Sequence, residues 1–128
     1  MSYYISTSVD TPFETAIETV TAGLAEEGFG VISDIDVRET MKQKLDVDFR
    51  NYRILGACNP SFAHRALESE DKIGALLPCN VVVQEHTDGS VEISAVDPVS
   101  SMQSVANPAL EPIAGEIRER LRRVVARL

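Results

Sequence analysis

The chain of 128 residues has no tryptophan, two cysteines, two histidines and few aromatic residues. Two cysteines in a chain of this length do not form the dense disulfide framework of small secreted domains, so reduced thiols are expected. No hydrophobic run reaches the roughly 18 residues of a membrane span. The first five residues lack the basic start and the long apolar stretch of a signal peptide. These absences predict a soluble cytoplasmic protein.

Basic residues are also scarce. The 12 lysines and arginines face 20 aspartates and glutamates, which gives a net charge of −8. Binding to a phosphate backbone needs a concentrated basic surface, so we predict neither a nucleic-acid partner nor a membrane partner. Hydrophobic residues at 44% and charged residues at 25% are typical of a globular protein. We therefore predict a single α+β domain over residues 1–128.

Turn residues divide the N-terminal part of the chain into short patterned segments. A strand is predicted over 3–9 because aromatic, β-branched and threonine residues dominate it. Thr11 as N-cap, Pro12 at the first helical position and Glu14 form a predicted capping box. Apolar residues at helical spacing continue this first helix until Gly28 ends it.

The middle of the chain alternates between strand and helix patterns. Strands are predicted over 31–37 and 52–57. The segment between them, 38–45, forms either a short polar helix or an irregular excursion. A helix over 60–73 follows, with Asn59 as its cap and proline at its first position.

The C-terminal part begins with a strand over 81–86, whose run of three valines predicts burial on both faces. Residues 87–90 indicate a hairpin turn, and a fifth strand starts at Val91. The last helix begins between 108 and 112. This order predicts an α+β fold: a mainly antiparallel sheet of about five strands with helices packed on one face. Its core resembles a split βαβ, or ferredoxin-like, unit with an extra hairpin strand and a C-terminal helix.

Two segments carry a family resemblance. The first is Leu55–Pro60 followed by Ala63–Leu67, and the second is Leu76–Val83 followed by Asp88–Gly89 and Ala95–Pro98. Together they resemble the prokaryotic family named "domain of unknown function 302" over nearly the whole chain. The resemblance implies a small α+β domain, often homodimeric, with no assigned reaction.

The two cysteines are the candidate reactive residues. Cys58 lies between a predicted strand and a helix start, where the helix dipole and free amides favour a thiolate. The competing interpretation is a small buried side chain, which is common for free cysteine. Cys79 follows Pro78 and precedes an apolar strand, so its structural interpretation is favoured more strongly.

The two thiols are not expected to pair with each other. If the helix over 60–73 carries the chain back across the sheet, Cys58 and Cys79 lie on the order of 15–20 Å apart. The two histidines, His64 and His86, add no zinc-binding spacing, so neither a metal site nor a cofactor is predicted. Polar residues beside the motifs, Asn59, His64 and Asn80, are the candidate ligand-binding side chains.

Two charged patterns have structural interpretations. Asp34 and Asp36 share one face of a strand, which favours a solvated face over acid–base catalysis. The basic run over 118–123 lies in the last helix, where positive charge near the C-terminus is stabilising. Neither pattern indicates a catalytic site.

The function that these patterns favour is a non-enzymatic binding or interaction module that acts as a homodimer. A sheet covered on one face leaves the other for a second subunit or a small-molecule ligand. The alternative is a thiol-dependent redox or sulfur-carrier protein that uses Cys58. A weaker alternative is a small-molecule enzyme whose pocket the sequence does not locate.

Overall fold

The computed structural model describes residues 2–128. Five strands form its sheet: Tyr4–Val9 (β1), Gly30–Asp36 (β2), Tyr52–Cys58 (β3), Cys79–Glu85 (β4) and Val91–Val96 (β5). Five helices accompany them: Phe13–Glu26 (α1), Val37–Leu45 (α2), Pro60–Ser69 (α3), Pro98–Ser101 (α4) and Glu111–Ala126 (α5). Short 3-10 turns occupy Ile73–Leu76 and Pro108–Leu110.

The sheet has the strand order β1-β5-β4-β3-β2, and each neighbouring pair is antiparallel. Helices α1 and α5 contact each other and pack against the sheet. Apolar residues of these two helices and of the inward-facing strand positions form the core. The predicted α+β class, with an antiparallel sheet of five strands, is confirmed. The predicted ferredoxin-like core is wrong, because three strands separate β1 from β2, where a split βαβ unit has one. None of the helices within 2–128 has the length and apolar character needed to cross a membrane.

Helix α1 begins one residue later than predicted and without the capping box. Pro12 occupies the N-cap position in an extended conformation, and no side chain caps the helix. The first helical residue is Phe13, whose buried ring anchors this end in the core. The predicted end is confirmed: Gly28 follows the C-cap with a φ of 89°, a conformation that glycine adopts without a Cβ penalty.

The connection from β3 to β4 corrects the predicted crossover. Helix α3 ends at Ser69 rather than near Ile73, and residues 70–78 return the chain to the end of the sheet that it left. Strands β3 and β4 are therefore direct antiparallel neighbours, with Ala57 paired to Cys79. In a crossover connection they would be parallel. The prediction extended the helix to residue 73, so it left too few residues between helix and strand for the chain to turn back.

Within residues 2–128, helices α1 and α5 pack against one face of the sheet, and the opposite face corrects a second expectation. Val81 and Val83 point into the core with at most 1% exposure. Val82 points to the other face and is only half-buried, because side chains alternate along a strand. The valine run is therefore buried on one face rather than on both. We call this uncovered surface the open face.

The segment 38–45, which the sequence left undecided, belongs to the helix α2. Asp36 caps it, since its Oδ1 accepts a hydrogen bond from the Glu39 amide at 3.0 Å. None of the residues of α2 is buried. The last helix also follows expectation, because α5 starts at Glu111 and buries Ile113, Ile117 and Leu121.

Gly56 in β3 marks a close approach of chain segments. A Cβ added there would overlap the Ser33 hydroxyl and lie 2.7 Å from Cγ of Pro78. We expect Gly56→Ala to lower the free energy of unfolding by about 1–3 kcal/mol, the usual cost of overpacking. Gly115→Ala is the matched control: its Cβ meets nothing within 4 Å, and alanine in a helix is favoured by about 0.5–1 kcal/mol.

Urea unfolding of the two variants and the wild type measures both effects. Opposite signs for the two substitutions support the packing account. An unchanged stability in Gly56→Ala would mean that the contact with Ser33 and Pro78 relaxes without cost.

Candidate functional site

A cavity of about 280 Å³ lies at the end of the sheet where β3 leaves and β4 enters. Helix α3 forms one wall, the segment 74–79 forms another, and side chains from β2, α4 and α5 complete it. The lining residues are mostly apolar: Phe29, Ile32, Ala57, Cys58, Asn59, Phe62, Ala63, Ala66, Leu67, Gly74, Leu77, Pro78, Cys79, Met102 and Ile117. We call this space the thiol cavity because both cysteines line it.

Asn59 is the polar exception in the thiol cavity, and its amide is already engaged. It is the N-cap residue of α3 but makes no side-chain cap bond. Its Nδ2 instead donates a 3.2 Å hydrogen bond to the carbonyl oxygen of Glu27. The buried amide therefore ties the start of α3 to the end of α1. The surface left to a ligand in the thiol cavity is almost entirely apolar.

The two cysteines are close neighbours, so the predicted separation of 15–20 Å is wrong. Cys79 pairs with Ala57, the residue before Cys58. Strand spacing and rise per residue then put the two Cα atoms roughly 6 Å apart. Both thiols are nevertheless free.

The two thiols differ in their surroundings. Cys79 is 5% exposed, and burial together with the nearby Cys58 raises the pKa of its thiol to about 11. At neutral pH this group is a protonated, weak nucleophile. Cys58 is half-buried at the cavity wall. The structure therefore supports the structural interpretation of Cys79 and leaves Cys58 as the accessible thiol.

The structure separates the three predicted ligand-binding residues. Asn59 lines the thiol cavity. His64 lies on the exposed surface of α3, where its Nε2 is 3.1 Å from the Glu68 carboxylate. Asn80 lies on the open face, beside a depression that also contains the three tyrosines. Of the three, only Asn59 is in a position to contact a ligand of the thiol cavity, and that role remains a prediction.

Phe62 connects the thiol cavity to two positively charged side chains. Its ring lines the cavity, and the guanidinium carbons of Arg65 and Arg120 lie 5.5 Å and 5.1 Å from the ring centroid. Arg120 also donates a 3.0 Å hydrogen bond to the carbonyl oxygen of Glu27. Sequence analysis missed this arrangement. The available signal was the spacing of three residues between Phe62 and Arg65, which puts both on one face of a helix.

The basic run of α5 and the C-cap residue Arg127 form ion pairs within the chain. The buried Glu27 carboxylate lies 3.0 Å from Arg123 and 2.6 Å from Arg127. The hydrogen bond from Arg123 is the main cause that lowers the pKa of Glu27 below its ordinary value. Arg118 lies 3.2 Å from the buried Asp97. The pairs with Glu27 connect α5 to the end of α1, and the pair with Asp97 connects α5 to the end of β5.

The paired aspartates of β2 also have structural roles. Asp34 accepts a 2.7 Å hydrogen bond from Nε of Arg53 on β3. This hydrogen bond is the main cause that lowers the pKa of Asp34. Asp36 caps α2. The interpretation of a solvated face is thus refined to a face with local polar contacts. Asp34 and Asp36 bind different partners and are not arranged as a pair for acid–base catalysis.

No group of three or more histidine, cysteine, aspartate or glutamate side chains within 2–128 is arranged to hold a metal ion.

A larger depression of about 400 Å³ lies on the open face. Its lining includes the polar side chains of Gln84 and Glu92, and Gln84 donates a 3.3 Å hydrogen bond to the Glu92 carboxylate. The depression is therefore more polar than the thiol cavity.

Comparison with known proteins shows the family. The model of the family described as "Domain of unknown function DUF302" matches residues 5–128. The chain belongs to the DUF302 family. Its structure is similar to the crystal structure of an uncharacterized conserved DUF302 protein from Bacillus stearothermophilus, with a TM-score of 0.91 and 32% sequence identity. The match covers 99% of this DUF302 chain and 98% of the other. No curated protein matches the chain.

The lowered pKa of Glu27 predicts how stability depends on pH. A carboxylate with a lowered folded pKa contributes stability above its unfolded pKa and loses it as pH falls through the folded value. We expect the free energy of unfolding to fall between about pH 5 and pH 3, partly through Glu27. Glu27→Gln removes this contribution and flattens the slope.

Urea unfolding across this pH range measures the slope. Glu18→Gln is the control, because Glu18 is exposed and forms no ion pair within 2–128. Parallel slopes for Glu27→Gln and the wild type would contradict the role given to the pairs with Arg123 and Arg127.

Proposed function

We propose that this DUF302 protein is a non-enzymatic module that binds a small apolar molecule in the thiol cavity. The observation that carries the proposal is the apolar lining of a cavity of about 280 Å³ at one end of the sheet. Ligand sites in proteins are typically concave and mostly apolar with a few polar groups. The thiol cavity has this character, whereas the open-face depression is lined by more polar side chains.

The polar groups of the thiol cavity support binding over catalysis. The Asn59 amide donates to the Glu27 carbonyl oxygen, and the buried Cys79 thiol is protonated at neutral pH because of its raised pKa. A general acid or base needs a pKa near the working pH and access to the reacting atoms. These two groups serve the structure of the cavity wall instead.

Titration of octanol into isotope-labelled protein, followed by amide NMR spectra, tests the proposal. Octanol is a neutral apolar probe of suitable size for the cavity. We expect shifts confined to the lining, with Phe62, Ala66 and Leu77 among the residues affected. Shifts confined to the open face around Tyr52 and Asn80, or no shifts at all, would contradict it.

The open face is the surface that we assign to homodimer formation in the cytoplasm. Apolar side chains reach this face from several strands: Tyr4 is 45% exposed and Ile35 is 50% exposed, and Val82 is half-buried at its centre. A second copy covers such a face with the same surface, as in most symmetric dimers. This assembly leaves the thiol cavity at the end of the sheet open to ligand.

Analytical ultracentrifugation tests the dimer. We expect Val82→Arg to produce a monomer, because a buried unpaired charge at an interface is costly. Ala126→Arg, on the exposed end of α5, introduces the same charge away from the open face and leaves the dimer intact. A wild-type chain that sediments as a monomer, or a dimer that survives Val82→Arg, would refute this assignment.

The position of Cys58 favours a second candidate function, that of a thiol-dependent redox or sulfur-carrier protein. The residue is half-buried, lines the cavity and precedes the first residues of α3. Helix N-termini favour thiolates. The alkylation experiment described in the Discussion distinguishes this candidate from the binding module.

A further inference from the structure

Two guanidinium groups lie beside Phe62, one of the side chains that line the apolar thiol cavity. Arg65 and Arg120 lie within 5.5 Å of the ring centroid of Phe62, which is part of the cavity lining. Arginine is suited to binding a carboxylate, because its planar fork of donors matches the two oxygens. An apolar cavity and two cations therefore share one side chain, that of Phe62.

The polar contacts of the two arginines show which of them is free to bind an anion. Arg120 already contacts the Glu27 carbonyl oxygen at 3.0 Å and the Glu116 carboxylate at 3.2 Å. Glu68, three residues after Arg65 on α3, is paired with His64. Arg65 is exposed, and its guanidinium forms no ion pair with a residue within 2–128. Arg65 is therefore the cation best placed to take a new anion, with Arg120 adding positive charge beside it.

From this arrangement, and building on the proposed function, we infer that the ligand of the thiol cavity is an amphipathic carboxylate, such as a medium-chain fatty acid. Its apolar chain occupies the space between Ala66, Leu77 and Met102. Its carboxylate lies at the mouth beside Phe62 and binds Arg65. The chain as a whole carries a net charge of −8, so this local pair of arginines gives an anion a specific place on a surface that otherwise repels it.

Calorimetric titrations with octanoate, octanol and octylammonium test the inference. The three probes share one apolar chain and differ in the charge of the head group. We expect octanoate to bind at least about tenfold more tightly than octanol, since hydrogen bonds to charged groups are stronger than neutral ones. Octylammonium binds more weakly than octanol. Added salt weakens octanoate binding and leaves octanol binding unchanged.

Substitutions of Arg65 test whether this side chain causes the preference for octanoate over octanol. Arg65→Gln lowers the affinity for octanoate about tenfold, to the level of octanol, and does not change octanol binding. Arg65→Lys retains the charge and loses part of the effect, because lysine lacks the planar fork. Arg122→Gln, at an exposed position of α5 and not one of the two arginines beside Phe62, is the control and binds octanoate as the wild type does.

The outcomes separate the inference from the proposed function. Equal affinities for octanol and octanoate, both unaffected by Arg65→Gln, would overturn the carboxylate and leave the apolar cavity as a binding site. Failure of all three probes to bind would overturn both. Tighter binding of octylammonium than of octanoate would also overturn the carboxylate assignment.

Discussion

Ala63→Phe is expected to weaken octanol binding at least about tenfold, and this is the largest effect predicted for a single substitution in the cavity. Ala63 is half-buried on α3 and lines the thiol cavity. A phenyl ring placed there enters the space that the probe would occupy. Because the ring fills empty volume, we expect the fold to be retained and any loss of stability to stay within about 1–3 kcal/mol.

Calorimetric titration of octanol into Ala63→Phe, together with a thermal unfolding curve, provides the measurement. Ala126→Phe makes the same chemical change at an exposed position near the end of α5 and is expected to bind octanol as the wild type does. A folded Ala63→Phe variant with wild-type affinity would show that the probe binds elsewhere.

Cys79 is expected to react with iodoacetamide at least about a hundredfold more slowly in the folded protein than in the unfolded chain. Its pKa is raised from an ordinary 9.0 to about 11, and this alone lowers the thiolate fraction at neutral pH about a hundredfold. Its 5% exposure restricts access further. Mass spectrometry of the alkylated peptides follows each cysteine separately.

The single-cysteine variants are the controls for this experiment. Cys58→Ser isolates Cys79, and denaturant should restore rapid labelling of it. Labelling of Cys79 in the folded variant at the unfolded rate would contradict its assignment as a core residue. Cys79→Ser isolates Cys58: rapid labelling with a midpoint below about pH 7 would favour the thiol-dependent function over the binding module. Slow labelling until unfolding would favour the binding module.

Local patterns in the sequence were sufficient to predict most of the elements. Helix α5 illustrates this, because Ile113, Ile117 and Leu121 have helical spacing and are all buried in the structure. The order of strands and helices along the sequence also predicted the α+β class, because this prediction does not depend on contacts between residues far apart in the sequence. The capping box at Thr11 was wrong because burial of Phe13, a tertiary contact, sets the start of α1.

The candidate site was harder to predict, because its geometry depends on how two strands pair. The sequence identified Cys58 and Cys79 but put them far apart, since a helix between two strands usually makes a crossover. The pairing of Ala57 with Cys79 depends on residues 70–78, which have no periodic pattern. Phe62 and its two arginines come together from α3 and α5, which are distant in the sequence, so only the fold shows them as one site.

The most direct test of the binding proposal is a crystal structure of the protein with a bromine-labelled octanol. Anomalous scattering from bromine locates the apolar end of the probe without reference to the protein coordinates. We expect the peak inside the thiol cavity, between Phe62, Ala66 and Leu77. A peak confined to the open face near Tyr52, or a thiol cavity that stays empty at saturating probe, would contradict the assignment of this cavity as the binding site.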